Sequence, residues 1–421
     1  MFRFRHLTYP VGIPVTVYID PVFPNMARED VDYSLEIVPF SGLRSRGKVP
    51  LAPEIRGYFY GCQPLKVVQG ALAIELILPQ EDCYVLRLFA ESEPLLEGEI
   101  YALEPDLYAL TPYKGDQHLH SWMSDGTDSP YYMAAYACRR GCDYCAITDH
   151  RKWEPSLLTQ QYFAGTRVDF LIMQGEEVHS PDNPVHILSL GAEESVNAWW
   201  RDHEDEYRTA VEEMLPAIDP DMNPEDRYAC AASQVMFDYI RAKKGLSVLC
   251  HPHWIRRKAL HQVEDITDYL MENKRFDALE LVAGGAYEDG LHMQVSYYHG
   301  YEKMPIVGNS DAHGVANGSL EPKAYTISFA KELSVEAIKE AICAGYAIGG
   351  YDNCLFGDYR LVKYGYFLLR NFYPEHRAQR IALGKAMQRY ASAQDATDES
   401  LRAALVTPRP TELFGQKRYQ K

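Results

Sequence analysis

The sequence predicts an α/β protein: a mainly parallel sheet, either barrel or doubly wound, preceded by an all-β region and followed by a helical tail. Three observations lead there. Short β-like runs fill residues 1 to about 110, strand-like and helix-like segments alternate from 115 to 350, and residues 351–421 read as mostly helical. At 421 residues the length suggests two or three domains, and 47% hydrophobic with 24% charged residues is ordinary for a chain with a buried core.

In residues 1–110 the runs are VTVYID (15–20), YSLEIVPF (33–40), IRGYFYG (55–61), ALAIELILP (71–79), CYVLRLFA (83–90) and GEIYAL (98–103). Leu72, Ile74, Leu76 and Leu78 alternate onto one face, and Pro, Gly, Asp and Asn separate the runs, so a small β-sandwich is expected. EPDLYALTPYKG (104–115) reads as a linker.

The second region offers the strands CAITDH (145–150), VDFLIMQGEEV (168–178), PVHILSL (184–190), LSVLCHP (246–252), ALELVAG (278–284), MPIVGNSDAH (304–313) and AYTISFA (324–330). Helical segments lie between them, such as SQVMFDYIRAKKG (233–245), which ends on a C-cap glycine. An acidic, Trp-containing stretch at 192–230 reads as a helical insertion or lid. The tail, 351–421, carries an aromatic patch (YRLVKYGYFLLRNFY, 359–373) and a basic end; it would close the catalytic region or make a homo-oligomer contact.

The net charge of −17 repels phosphate backbones and argues against nucleic acid held over a broad surface, although a local positive cluster can still bind a small anion. No run approaches the ~20 apolar residues of a spanning helix, so no membrane partner is expected. The N-terminal stretch lacks the uninterrupted apolar segment of a secretory signal. Nine irregularly spaced cysteines suit reduced thiols, and the chain reads as cytoplasmic.

Chemistry concentrates at the strand ends. In GDQHLHSWMSDG (115–126), His118 and His120 share one face because side chains alternate along a strand, and Asp125 follows in the loop. Asp149 and His150 end CAITDH. Glu176 and Glu177 follow in GEEV, His186 lies in the next strand, His251 ends LSVLCHP, and Asp311 and His313 end the GNSDAH run. Enzymes built on barrels and open sheets place their chemistry at C-terminal strand ends. A single such histidine is an ordinary core residue. Six of them with several carboxylates would leave unpaired polar groups costing about 1–3 kcal/mol each. A metal cluster resolves this, and imidazole with carboxylate suits Mn, Fe or Zn.

DQHLHSWMSDG, AITDH, the Gly-x-Glu of GEEV, the His of HIL, LCHP and GNSDAH resemble, in order, the motifs of the PHP (polymerase and histidinol phosphatase) family. The resemblance covers about 115–350 and ends at SVEAIKEAICAGYAIGG, which is similar to the family's closing helix. It implies a distorted (β/α)7 TIM-like barrel holding three divalent metal ions. By position, His118 and His120 would bind the first with Asp311; Asp125, His150 and His313 would serve the second; His186 and His251 would serve the third. Glu177 would bridge, with Glu176 the competing register, and Asp149 would stand behind the ligands and orient an imidazole. The implied activity is metal-dependent hydrolysis of a phosphoester in a small phosphorylated substrate. His253 or His179 would protonate the leaving group, each having a structural role as its plain alternative. The distinction between monoester and diester stays open.

Arg151 and Lys152 after TDH, and Arg256, Arg257 and Lys258 after HPHW, could clamp phosphate or could be solvated charges. Trp122, Trp153 and Trp254 could wall the pocket or pack the rim. CRRGCDYC (138–145) has the spacing of the radical SAM cluster motif, but a helix end, a stop and a strand would point its thiols apart, leaving them as small apolar residues. Two rival readings of function are hydrolysis of a non-phosphate bond on the same metals, and a binding or regulatory protein with a vestigial site.

Overall fold

A computed structural model of the chain describes residues 2–42, 59, 61–166, 168–256, 259–284, 304–315 and 323–392, with the side chain of Arg256 excepted. The contacts divide these residues into two units, Met1–Thr111 with Tyr366–Pro374, and Pro112–Gly365 with the described residues from Glu375 onward.

In the first unit a four-stranded antiparallel sheet orders Phe2–Phe4, Pro14–Pro21, Ala71–Ile77 and Lys66–Val68. A five-stranded sheet orders Thr8–Pro10, Glu93–Leu103, Asp82–Ala90, Tyr33–Pro39 and Cys62–Pro64, with only the first pair parallel. Val17, Ile19, Leu72 and Leu76 from one sheet pack with Leu35, Ile37, Leu86 and Leu88 from the other in a single core. Most of the expected strand at 55–61 lies outside the described residues. The 104–115 stretch, within which the two units divide, is regular rather than irregular: Pro105 at the first helical position starts the short helix Pro105–Tyr108, and a strand begins at Thr111.

The strands of the second unit are β1 (Thr111–Asp116), β2 (Tyr144–Ala146), β3 (Leu171–Met173), β4 (Gly175–Val178), β5 (Ile187–Leu190), β6 (Leu246–Leu249), β7 (Ala278–Ala283), β8 (Ile306–Asn309), β9 (Ala324–Ala330), β10 (Ala347–Tyr351) and β11 (Cys354–Phe356). One sheet runs β3-β2-β1-β9-β10-β11 and the other β4-β5-β6-β7-β8. Both sheets mix parallel and antiparallel pairs, where the sequence predicts a mainly parallel sheet. β1–β2–β3 and β6–β7–β8 pair in parallel, whereas β5 is antiparallel to both β4 and β6, and β10 to both β9 and β11. The fold is mixed α/β.

The apolar run 168–178 breaks at Gln174 into β3 and β4, which belong to different sheets. Gly175 permits the crossing: a Cβ there would lie 3.0 Å from the Thr148 methyl and 3.1 Å from Leu190. Two isolated parallel bridges, Leu119 with Ala312 and His150 with Glu177, tie the sheets together at one end.

The helices are α1 (Pro130–Arg139), α2 (Glu154–Phe163), α3 (Val196–Asp202), α4 (Glu204–Met214), α5 (Pro224–Ala242), α6 (Glu264–Asn273), α7 (Val335–Cys343), α8 (Tyr359–Asn371) and α9 (Tyr373–Ala391). The 192–230 stretch is helical, as α3, α4 and the start of α5. α5 ends through Lys244, whose φ is 58°, rather than through a left-handed Gly245. Gly245 is needed for space, since its Cβ would meet Ile240 at 2.7 Å. No helix among the described residues is long and apolar enough to cross a membrane.

Candidate metal centre

The site forms where the two bridges bring the strand ends together. His118 and His120 follow β1, and the Leu119–Ala312 bridge sets them beside Asp311 and His313, which follow β8. The His150–Glu177 bridge brings the residues after β2 against β4. His186 immediately precedes β5, and because β5 runs antiparallel its first residue, not its last, lies at the site end. His251 follows β6.

Glu177 is the centre of this cluster. Its Oε2 lies 2.6 Å from His150 Nδ1, 3.3 Å from His120 Nε2 and 3.4 Å from His118 Nε2. Its Oε1 lies 2.8 Å from His186 Nδ1, 3.5 Å from His179 Nε2 and 3.8 Å from His251 Nε2. Asp311 Oδ1 stands 3.0 Å from His120 Nε2 and 3.3 Å from His118 Nε2. Asp125 Oδ2 is 3.4 Å from both His150 Nε2 and His313 Nε2.

Strand alternation separates the two glutamates. Glu177 enters the cluster, while Glu176 turns to α3, where it accepts hydrogen bonds from Val196 N at 2.5 Å, Ser195 Oγ at 2.8 Å and Asn197 Nδ2 at 2.9 Å. Asp311 adopts left-handed backbone with φ 51°, an uncommon conformation for a residue other than glycine at a strand end.

Burial alone would raise the Glu177 carboxyl, but His186 and His118 hold it well below the usual carboxylate range. Burial opposes charge on His118 as well; Glu280, Asp311 and Glu177 nevertheless raise it well above an ordinary imidazole. His150 is raised against burial by Glu177. Desolvation pushes His186 and His251 down to about 4, so both are neutral near pH 7.

Several donor atoms here satisfy no hydrogen bond. His118 Nε2, both nitrogens of His120, His150 Nδ1, His179 Nε2, His186 Nδ1 and both Glu177 oxygens are buried without a hydrogen-bond partner. They converge at short range on one buried carboxylate, an arrangement that a divalent cation would satisfy. Groupings compact enough to hold an ion, with ligand atoms all within 4.8 Å of one another, include His120, Asp125, His150 and His313; His118, His120 and Glu177; His118, Cys250 and Glu280; His118, His251 and Asp311; and His150, Glu177 and His179, so the sets overlap at His118, His120, His150 and Glu177. His118 and His120 share a grouping with Glu177 and both face Asp311 Oδ1, while His120 also meets the Asp125 set and His251 meets His118.

Two residues depart from their expected roles. Asp149 meets no imidazole; it accepts from Ser121 N at 2.9 Å, Ser121 Oγ at 2.7 Å and Ser124 N at 3.0 Å, and so folds the loop that carries Asp125. Lys152 donates from its ammonium to the Met123 carbonyl, which braces the same loop. Arg151 is exposed beside the site, Arg257 and Lys258 lie outside the described residues, and His253 is buried in the turn after β6. Trp254 stands 5.5 Å from the His251 ring and 5.9 Å from His186, whereas Trp122 is 65% exposed. Cys138, Cys142 and Cys145 are buried in an apolar cluster with Met133, Ile147 and Phe163.

Sequence reasoning missed Glu280 in β7. Fully buried, it accepts from His118 Nδ1 at 2.9 Å, Asn309 Nδ2 at 2.9 Å and His251 N at 3.2 Å. Its signal was a carboxylate in the apolar run ALELVAG. Cys250 packs nearby, and burial keeps its thiol protonated, well above the usual range.

No protein-family model matches the chain. It is 25% identical over 226 residues to the DNA polymerase/3'-5' exonuclease PolX of Bacillus subtilis, covering 52% of this chain and 37% of that protein. It is 37% identical over 87 residues to the phosphoribosyl 1,2-cyclic phosphate 1,2-diphosphodiesterase of Eggerthella lenta, covering 20% of this chain and 32% of that protein. It spans about a third of the length of these curated relatives. A solved two-domain protein from Bacteroides vulgatus, described as containing a predicted PHP-like metal-dependent phosphoesterase, aligns with a TM-score of 0.43 and 18% identity over 62% of this chain and 70% of that one. The His, Asp and Glu groupings have the donor types and spacing that could hold a divalent metal.

Proposed function

We propose that this chain hydrolyses a phosphoester in a small-molecule or nucleotide substrate, using three divalent ions of the Mn, Fe or Zn type. The observation that carries the reading is one buried carboxylate, Glu177, with six imidazoles within 3.8 Å of its two oxygens. When bound, such ions supply Lewis acidity and acidify water toward neutral pH. His118, His120, Asp125, His150, Glu177, His186, His251, Asp311 and His313 would hold them. Asp149 and Lys152 keep the Asp125 loop in place, and Arg151 offers an exposed guanidinium to a phosphate oxygen.

The same reading takes β4-β5-β6-β7-β8, closed through Leu119–Ala312 to β1-β2 and through His150–Glu177 back to β4, as a distorted seven-stranded barrel. Residues 115–350 would be the catalytic region, with the β-sandwich at 1–110 and the tail from 351 as additions that bear on substrate choice or self-association. Nine unpaired cysteines support a reducing, cytoplasmic setting.

The test is metal analysis of protein purified without chelator, beside a His118→Ala, His251→Ala double variant, followed by a panel of mono- and diester phosphates. Close to three ions per chain, reduced in the variant, with phosphatase or phosphodiesterase turnover, is the expected result. Wild-type protein that retains no ion after reconstitution would sink the proposal.

A further inference from the structure

We infer that His179 is a metal ligand of this site, a tenth beside the nine drawn from the motifs. The inference rests on the proposed metal-dependent reading and deepens it.

The sequence places His179 two residues after Glu177, so strand alternation carried one step past β4 puts both side chains on one face, as it does for His118 and His120. The backbone is fixed there. His179 N donates to Asn197 Oδ1 at 3.2 Å, and Asn197 Nδ2 returns to the Glu177 carbonyl at 3.0 Å. Asn197 at the start of α3 thereby holds the end of β4 and aims His179 inward.

The ring sits 4.1 Å from His186 and 4.4 Å from His150, centroid to centroid. Its Nε2 is buried without a hydrogen-bond partner, 3.5 Å from Glu177 Oε1. A structural histidine would have both ring nitrogens satisfied, and an imidazole crowded between two others gains nothing by pointing a bare lone pair at a carboxylate. A cation shared with Glu177 and His150 accounts for both facts, since one nitrogen or oxygen from each already lies within 4.8 Å of the others. His186 Nδ1, 2.8 Å from the same Glu177 oxygen, would be the fourth donor. Three imidazoles and a carboxylate form a donor set suited to a first-row divalent ion.

The experiment uses full-length chelator-stripped protein reloaded with Co2+ for wild type, His179→Gln, His179→Ala and the control His203→Gln, whose imidazole is 56% exposed on the far side of α3 in sequence. Ions retained after gel filtration are counted, affinities are measured by chelator competition, and the visible Co2+ absorption is recorded. Thermal unfolding of the metal-free proteins verifies that each variant is folded. Expected is loss of one ion per chain, or at least about tenfold weaker binding of one ion, in both His179 variants, with a changed Co2+ band. The His203 variant should match wild type. Unchanged stoichiometry, affinity and spectrum in folded His179 variants would overturn the assignment while leaving the proposed function intact, even if turnover or its pH profile changed. A wild type that binds no Co2+ would overturn both.

Discussion

His118 donates its Nδ1 proton to Glu280 at 2.9 Å, inside a region where both residues are fully buried. The carboxylate can only accept, so the bond keeps the Nδ1 proton in place and aims Nε2 at Glu177, 3.4 Å away, and Asp311, 3.3 Å away, leaving Nε2 as the nitrogen that gives up its proton to a metal. Asn309 and the His251 amide hold Glu280 in turn, so one glutamate sets the aim of His118 and the start of the His251 turn.

Glu280→Ala should therefore weaken metal binding by about 10–100-fold without touching an ion. Glu280→Gln keeps a carbonyl oxygen able to accept from Nδ1 and should cost less. Chelator competition on both variants checks the order; equal affinity in wild type and Glu280→Ala would remove Glu280 from the site.

Metal loading should release protons. Against the pull of burial, His118 is raised well above the ordinary imidazole value by Glu280, Asp311 and Glu177, and His150 is raised by Glu177, so the metal-free site favours the protonated form of both. A ligating nitrogen must lose that proton, so apparent affinity should rise as pH climbs above the ordinary imidazole value. His186 and His251, near 4, are already neutral and contribute no proton in this range. Calorimetric titration in two buffers of different ionisation enthalpy reads the release directly. Identical heats in both buffers would contradict it.

Stripping the metal should destabilise the second unit and leave the sandwich little changed. An ion present at about a hundred times its dissociation constant adds about 2.7 kcal/mol, which for a unit of this size corresponds to a Tm shift of about 5–10 °C. Scanning calorimetry with and without chelator gives the value. A shift below a degree would mean that the orphaned donors of the cluster find partners without a cation.

Much of this site could be read from the sequence because its signals are local. His118 and His120 share a face through the two-residue period, and the Leu72–Leu76 alternation marked the core face of its sheet. What failed to show were long-range facts. In VDFLIMQGEEV only Gly175 hints at the break beside Gln174, and the change of sheet depends on the partners of β3 and β4. The direction of β5 is likewise a property of pairing; the sequence put His186 in a strand but could not say that its leading end faced the ligands. Glu280 hid in an apolar run because its partner, His118, lies 162 residues away. Asp149 was misjudged for the opposite reason: its neighbour His150 is a site residue, but its partners are the serines of another loop.

The tail helix α9 should depend on one buried ion pair. Asp143, just before β2, accepts from the Arg380 guanidinium, from His376 Nε2 at 2.9 Å and from Lys114 N at 3.0 Å, and Asp143, His376 and Arg380 are all nearly inaccessible. Removing one partner strands the other charge in low dielectric, so Asp143→Ala should cost about 3–5 kcal/mol of unfolding free energy in urea. Asp143→Asn keeps an acceptor and should cost less. A loss under about 1 kcal/mol for Asp143→Ala would mean that α9 is held by apolar packing of Leu383 and Met387 alone.

Thiol chemistry separates the CRRGCDYC reading from its rival. Cys138 ends α1, Cys142 follows the left-handed Gly141, and Cys145 lies inside β2, all within one apolar cluster. Burial pushes the thiol of Cys138 up to about 12 and that of Cys142 to about 11, so neither supplies thiolate at neutral pH. Cys62, Cys343 and Cys354 are exposed. A disulfide reagent added to native protein should therefore label three of the nine thiols promptly, and the remaining six only after denaturation. Mass mapping should place the prompt label on Cys62, Cys343 and Cys354, with no labile sulfide in the purified protein. Prompt labelling at Cys138, Cys142 or Cys145, or stoichiometric sulfide with iron, would return those cysteines to the chemistry and count against a site built on histidine and carboxylate.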